Sequence, residues 1–178
     1  INAMDDIGAF TIALWFNRRT NGTEVTNHDI SNVLVAQSSG SDNDNCELGT
    51  EGSNVELCID TSGGAKDNVS YDAGIVNDTW YHVVVTFSNV ICVYVDGVKV
   101  VDDYDYPAQE LDGDDFRFGR HNPADPPWFS GVVDDVRFYA WGLEQANGDT
   151  LRPAGRWVGW RPTGPPRRPR APGVLPRD

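Results

Sequence analysis

Residues 120–128 of the 178-residue sequence (RHNPADPPW) bring together side chains that could bind a sugar. Trp128 follows two prolines and lies close in sequence to Asn122 and Asp125, and Arg120 begins the same stretch. Sugars stack their CH faces on aromatic rings, while amide and carboxylate groups fix the hydroxyls. The stretch therefore predicts a rigid ligand-binding loop. The simpler alternative is that Trp128 packs against neighbouring loops.

A pair of carboxylates, Asp134 and Asp135, forms a second candidate within VVDDVRFY at residues 132–139. Strand alternation places Asp134 on the same face as Val136 and Phe138, which we expect to be buried. A buried carboxylate is costly unless it is hydrogen-bonded or bound to a metal ion. Asp134 is therefore predicted either to cap a backbone group or to hold a cation.

A further acidic stretch, SDNDNCE, spaces Asp42, Asp44 and Glu47 in the alternating manner of a calcium loop. The glycine and the distal glutamate of an EF-hand are not in place. A solvated acidic loop is the simpler interpretation of these residues.

The three histidines do not indicate a catalytic centre. His82 lies in a strand pattern between Trp80 and Val84, where we expect it to pack or to form hydrogen bonds, and His28 and His121 lie in polar loops. Neither a Ser-His-Asp nor a Cys-His arrangement follows from the spacing. We therefore predict no catalytic residue.

The three cysteines predict one disulfide and one free thiol. The segment from Cys46 to Cys58 is typical of a hairpin whose turn is centred on Gly52, which would place the two cysteines opposite each other. Directly opposed strand residues lie about 4.5–5.5 Å apart, within reach of a disulfide. We therefore predict a Cys46–Cys58 bond if the protein occupies an oxidising compartment, and a buried free thiol at Cys92.

A β-meander at residues 80–101 (WYHVVVTFSNVICVYVDGVKVV) is the predicted scaffold for these side chains. Strands are expected near residues 81–87, 90–95 and 98–102. Asp96-Gly97 favours a two-residue hairpin, because both central residues of a type I′ turn need positive φ. The strands are apolar on both sides, so a second layer must cover them.

Other short strands are predicted at residues 6–17, 33–37, 69–71, 114–119 and 132–139, whereas residues 143–146 have room for at most one helical turn. In the first strand Phe10, Ile12, Leu14 and Phe16 share one face. Trp15 lies on the other face, where it either contacts a ligand or packs against its neighbours. Short strands with frequent turns predict an all-β antiparallel sandwich or jelly roll.

The charge divides the chain in two: residues 1–151 hold 26 acidic and 7 basic side chains, and residues 152–178 hold 7 arginines and 1 aspartate. So acidic a body repels nucleic acids and anionic membranes, and it suits an extracellular or halotolerant surface. No apolar run approaches the roughly 18 residues of a membrane span.

Residues 152–178 also carry seven of the eleven prolines. Such a segment buries too little apolar area to offset its ordering entropy, which predicts a disordered tail or an extension foreign to the folded domain, such as a read through a shifted frame. We place the domain at residues 1–151.

Five motifs in this order resemble the laminin G-like or concanavalin A-like lectin/glucanase superfamily: FTIALWF (residues 10–16), WYHVVV (80–85), VYVDGV (93–98), FGR (118–120) and FSGVVDDVRFY (129–139). The resemblance covers about residues 1–147. It implies a jelly-roll sandwich of two antiparallel sheets, one of them concave. It also implies a strand that ends near Ile1 and pairs beside the final strand. We therefore expect the sandwich to lack its first strand and the chain to belong to a longer protein with other domains.

The resemblance further implies a structural calcium ion at Asp134. In laminarinase-type members two catalytic carboxylates lie on one strand as Glu-x-Asp-x-x-Glu, and this motif is absent here. We therefore expect a non-catalytic recognition module of an extracellular or cell-surface protein that binds a glycan or an extracellular protein. The alternatives are a glycoside hydrolase or lyase domain and a structural spacer.

Overall fold

Alternating apolar residues form strands through most of the chain in the computed structural model, which describes residues 9–22, 30–38, 44–60, 66–88, 90–105, 116–120, 129–146 and 150–153. In these ranges there are twelve strands and no helix, and hence no helix that could span a membrane. The strands are β1 Phe10–Arg18, β2 Asn32–Ser38, β3 Asp44–Glu51, β4 Asn54–Asp60, β5 Lys66–Asp72, β6 Trp80–Phe87, β7 Val90–Val95, β8 Val98–Asp105, β9 Phe116–Phe118, β10 Gly131–Tyr139, β11 Leu143–Ala146 and β12 Thr150–Pro153.

Ten of these strands form two antiparallel sheets of five strands each. The first sheet has the order β10-β1-β6-β7-β8, the second has the order β5-β4-β3-β2-β9, and β11 pairs with β12 in a separate hairpin. One apolar cluster contains side chains from both sheets, so the sheets pack face to face around a shared core. The predicted antiparallel β-sandwich is confirmed.

Strand β1 lies at the centre of this packing. Phe10, Ile12, Leu14 and Phe16 belong to the shared core, as their alternation predicts. The opposite face of β1 is buried too, because Thr11, Ala13 and Trp15 are at most 8% exposed. A strand buried on both faces accounts for the nearly continuous apolar character of FTIALWF.

The predicted meander is β6-β7-β8, and its turn chemistry is the expected one. Asp96 and Gly97 have φ angles of 50° and 82°. The His82 amide donates to the Asp96 side chain at 2.8 Å, and the Asp96 amide donates to the His82 carbonyl at 2.8 Å. Asp96 therefore shapes the turn and anchors the start of β6.

The Cys46–Cys58 hairpin exists, but the disulfide prediction is wrong. The turn contains two residues, Gly52 and Ser53, because Glu51 pairs with Asn54. This register places Cys46 opposite Ile59 and Cys58 opposite Glu47. Successive residues of a strand point to opposite faces, so Cys46 lies in the shared core and Cys58 lies on the outer side of the second sheet. All three cysteines are free and buried, as predicted for Cys92.

The structure corrects one expectation near the carboxyl end and leaves another untested. Residues 143–146 form strand β11 instead of a helical turn. Its partner β12 ends at Pro153, and the two strands form a hairpin separate from the two sheets, so the domain boundary at residue 151 stays a prediction. Residues 154–178 lie outside the described ranges. The pairing of Leu143 with Pro153 extends regular structure into the proline-rich segment.

Arg18 ends β1 and is buried, with 3% exposure. Its guanidinium donates to five acceptors, which are Asn77 Oδ1, Asn21 Oδ1, Thr50 Oγ1, the Gly52 carbonyl and the Ile75 carbonyl, at 2.8–3.3 Å. These bonds join the end of β1 to the β3–β4 hairpin and to the segment before β6. Burial lowers the pKa of Arg18, which nevertheless stays charged.

Candidate functional site

A β-bulge in β10 decides which side chains this strand presents to solvent. Ala13 pairs with Arg137 and Trp15 pairs with Asp134, so two steps along β1 correspond to three steps along β10. The extra residue is Asp135, whose φ angle is 48°. Such a bulge adds one unpaired residue and reverses the alternation beyond it.

The bulge contradicts the prediction that Asp134 shares a buried face with Val136 and Phe138. Val133, Val136 and Phe138 pack against the shared core, and Asp134 is exposed. The Asp135 amide donates to Asp134 Oδ1 at 2.7 Å. Asp134 is therefore the backbone cap that was the alternative to a cation ligand.

The residues around Asp134 do not fit the calcium site that the family resemblance implies. Asp134 already accepts the Asp135 amide, and both carboxylate oxygens of Asp135 accept hydrogen bonds from the cation Arg137. Within the described ranges no group of three or more His, Cys, Asp or Glu side chains could hold a metal ion. Calcium binding elsewhere in the chain stays a prediction.

Arg137 and Asp135 form a bidentate ion pair on the outer side of β10. Arg137 donates from Nε to Asp135 Oδ1 at 2.9 Å and from Nη2 to Asp135 Oδ2 at 2.8 Å. The two side chains are 35% and 34% exposed. The hydrogen bonds to Asp135 raise the pKa of Arg137. The pair presents fixed polar atoms to solvent without a net charge.

Two aromatic rings continue the same side of the strand. The ring centroids of Tyr139 and Trp141 lie 5.8 Å apart with planes inclined by 53°. Tyr139 packs against a small apolar cluster of the first sheet that includes Ala13 and Tyr94, and Trp141 is 44% exposed. The Thr11 hydroxyl donates to the Trp141 carbonyl at 2.9 Å, which holds the chain just beyond β10. We call Asp135, Arg137, Tyr139 and Trp141 together the β10 surface.

The β10 surface is chemically suited to a sugar. An exposed indole offers a flat apolar face, and an arginine–aspartate pair on the strand that precedes it offers donors and acceptors at fixed positions. Small side chains on β1 lie opposite the large ones, since Thr11 pairs with Tyr139 and Ala13 pairs with Arg137. The large side chains can therefore lie over β1.

Trp15 does not line an open binding face, contrary to the prediction. It is 8% exposed, and its ring centroid lies 4.9 Å from that of His82. His82 is also buried, as the packing interpretation predicts. Burial lowers the pKa of His82 to about 4, with the Asp135 carboxylate opposing this effect and Arg137 adding to it. Trp15 and His82 thus support the β10 surface from β1 and β6.

The loop predicted to bind a ligand is described only at its base. Arg120 is exposed, the Phe129 amide donates to the Gly119 carbonyl at 2.8 Å, and the Phe129 ring lies against Phe16. Asn122, Asp125 and Trp128 lie outside the described residues. The structure brings Trp15 and Asp134 together as a cross-strand pair, and no described contact joins Arg120 to them.

The second sheet carries a separate polar cluster on β4 and β5. Ser70 donates to Glu56 at 2.9 Å and accepts a hydrogen bond from Asn54 at 2.9 Å. Burial raises the pKa of Glu56, and the hydrogen bond from Ser70 opposes this effect. The neighbouring Glu51 carboxyl group also raises the pKa of Glu56, so two acidic side chains lie close together on the outer edge of this sheet's hairpin.

Arg137, Tyr139 and Trp141 were missed in the sequence, although their spacing at every second residue was a usable signal, since such residues share one face of a strand. The expected burial of Val136 and Phe138 already places Arg137 and Tyr139 on the outer face.

Comparison with known proteins agrees with the fold. A family model described as the concanavalin A-like lectin/glucanases superfamily matches residues 2–147. A search of curated protein sequences found no match.

Several solved structures share the jelly-roll fold at low sequence identity. Domain 4 of AbnA, a GH43 extracellular arabinanase from Geobacillus stearothermophilus solved in complex with arabinotriose, has a TM-score of 0.59 and 17% identity over 77% of this chain and 63% of that domain. The heptameric SAP-like pentraxin from Limulus polyphemus has a TM-score of 0.58 and 12% identity over 79% of this chain and 68% of the pentraxin. The botulinum neurotoxin type G receptor binding domain has a TM-score of 0.57 and 12% identity over 77% of this chain and 36% of that domain. The chain thus spans less than two thirds of the first and the third of these structures, and likeness at such identity shows the fold alone.

Proposed function

Because the chain belongs to the concanavalin A-like lectin/glucanases superfamily, we propose that it is a non-catalytic recognition module that binds carbohydrate through the β10 surface. The module acts in an extracellular or cell-surface protein. Its acidic surface suits contact with neutral glycans and not with nucleic acids.

The observation that carries the proposal is the exposed Trp141, which lies just beyond the strand that carries the Asp135–Arg137 pair. Trp141 is 44% exposed and touches the half-buried Tyr139, which limits the movement of its indole. The exposed ring offers a flat apolar face for a sugar to cover. Stacking on this ring and hydrogen bonding to the Asp135–Arg137 pair would give an oligosaccharide both its affinity and its orientation.

Two of the structures with the same fold support a binding role. The arabinanase domain was solved with arabinotriose bound, and the neurotoxin domain is described as receptor binding. The arabinanase is described as extracellular, which supports the proposed location.

Two features support the proposed non-catalytic role. The Glu-x-Asp-x-x-Glu motif is absent from the whole sequence. At the β10 surface, both oxygens of Asp135 are held in a bidentate ion pair by Arg137.

A glycan array with four proteins tests the proposal: the wild type, Trp141→Ala, Trp128→Ala and Tyr71→Ala. Tyr71 is 40% exposed on β5 of the second sheet, so it controls for the loss of an exposed aromatic residue. We expect Trp141→Ala to weaken binding about tenfold or more, which corresponds to about 1.4 kcal/mol, and Tyr71→Ala to leave it unchanged.

Three results would contradict the proposal. Wild-type protein that binds no glycan would favour a protein ligand or a spacer role. Binding that is lost in Trp128→Ala and retained in Trp141→Ala would move the site to the loop after β9. Hydrolysis of any bound oligosaccharide would contradict the non-catalytic assignment.

A further inference from the structure

We infer that the β10 surface selects neutral glycans and discriminates against glycans that carry carboxylate or sulfate groups. This inference rests on the proposed function and concerns the same residues. An exposed arginine in a binding surface ordinarily suggests an anionic ligand, since guanidinium groups bind carboxylates bidentately. Here the contacts of Arg137 lead to the opposite conclusion.

Arg137 already holds a carboxylate of its own chain. Nε and Nη2 donate to the two oxygens of Asp135 at 2.9 and 2.8 Å, which is the geometry that a uronate would otherwise receive. An incoming carboxylate would have to displace Asp135 and leave that charge unpaired beside the buried His82. Displacement is therefore costly, and the guanidinium does not act as an anion site.

The charge around the pair is negative. Asp134 is exposed next to Asp135, and its Oδ1 is engaged only by a neutral amide. Asp134, Asp135 and Arg137 together carry a formal charge of −1, and the whole chain carries −13. An anionic sugar thus meets repulsion that a neutral sugar does not, and this repulsion extends over a Debye length of about 10 Å at 0.1 M salt.

The hydrogen-bonding capacity of the surface also favours neutral sugars. Each oxygen of Asp135 accepts one bond from Arg137 and retains a second lone pair. A neutral sugar brings hydroxyl donors to these oxygens, whereas the carboxylate or sulfate group of an acidic sugar brings acceptors only. Each remaining lone pair of Asp135 can accept one such hydroxyl.

Binding of matched oligosaccharides to the full chain tests the inference. The probes are cello-oligosaccharides, arabino-oligosaccharides and galacto-oligosaccharides as neutral ligands. Oligogalacturonate, C6-oxidised cello-oligosaccharide and sulfated galacto-oligosaccharide serve as their acidic counterparts. Affinities are measured for the wild type and Trp141→Ala at 0.1 M and 1 M salt. Only the part of binding that Trp141→Ala removes is counted, because the seven arginines of residues 152–178 could hold an acidic glycan independently.

We expect Trp141-dependent binding to at least one neutral series and at least tenfold weaker binding to its acidic counterpart at 0.1 M salt. The difference in affinity between the neutral and the acidic series should become smaller at 1 M salt, where the Debye length is about 3 Å. Asp134→Asn keeps an acceptor for the Asp135 amide and removes one negative charge. It should therefore strengthen the binding of acidic oligosaccharides alone and reduce the difference in affinity between the neutral and the acidic series.

The outcomes separate the inference from the proposed function. Trp141-dependent binding that is equal or tighter for the acidic series would overturn the inference and leave carbohydrate binding at this surface intact. The absence of Trp141-dependent binding to every glycan would overturn both.

Discussion

The buried His82 should make the protein less stable as the pH falls below about 6.5. His82 lies against Trp15 on the outer side of the first sheet, where burial lowers its pKa to about 4. In the unfolded chain an imidazole titrates near its ordinary value of about 6.5. The unfolded state therefore takes up a proton at a higher pH than the folded state does.

The sign and the size of the effect follow from linkage. Stability from the neutral imidazole is fully present above about pH 6.5 and is lost as the pH falls towards about 4. A tenfold change in a protonation equilibrium is worth about 1.4 kcal/mol, so the full loss is about 3 kcal/mol. Of this, about 2 kcal/mol should be lost between pH 7.5 and pH 5.

Urea unfolding of the wild type and His82→Gln at several pH values between 7.5 and 5 measures this loss. The variant removes the titrating ring, so its free energy of unfolding should depend less on pH by about 2 kcal/mol over this range. Carboxylates contribute similarly to both proteins and largely cancel in the comparison. NMR titration of the wild-type imidazole gives a second readout that does not require the variant to fold. A His82 pKa near 6.5, or parallel pH profiles for the two proteins, would refute the reasoning.

Two further predictions concern stability. Arg18→Met removes the donor to five acceptors, of which Thr50 Oγ1 and the Ile75 carbonyl are buried. The free energy of unfolding, measured by urea titration, should therefore fall by about 3–5 kcal/mol. Arg18→Lys should give an intermediate loss. A loss of unfolding free energy below about 1 kcal/mol for Arg18→Met would contradict the conclusion that the hydrogen bonds of Arg18 hold the end of β1 to the β3–β4 hairpin. For Asp134, the Tm of the wild type and of Asp134→Asn should respond identically to calcium and to a chelator, since this carboxylate caps an amide. A calcium-dependent increase in Tm that Asp134→Asn abolishes would contradict the geometry described here.

The strands themselves were largely predictable from the sequence. The β6-β7-β8 meander was expected within a few residues of its observed bounds, because apolar alternation and the Asp96-Gly97 turn are local signals. The apolar face of β1 was correct for the same reason. Residues 143–146 were harder, because a short strand depends on its partner, here Thr150–Pro153.

The candidate site was much less predictable. Trp15 lies on the predicted face but is covered by neighbouring side chains, and two other errors arose from a shift of one residue. The two-residue turn at Gly52-Ser53 sets a hairpin register in which Cys46 and Cys58 are not opposite each other. The bulge at Asp135 places Asp134 on the surface, whereas regular alternation would place it in the core. Side chains alternate with a period of two, so a shift of one residue exchanges the two faces of a strand. Neither shift leaves a clear mark in the pattern of apolar residues.

The amino-acid sequence by itself determined the strand pattern, the acidic surface and the family of this protein, because these depend on composition and on contacts between neighbours in the chain. Only the tertiary structure decided that β10 pairs with β1, more than a hundred residues earlier, and that this pairing contains a bulge at Asp135. That pairing buries Trp15, exposes Asp134 and joins Asp135, Arg137, Tyr139 and Trp141 into one surface. The physical reason is that the face on which a side chain lies is set by the register with a distant strand.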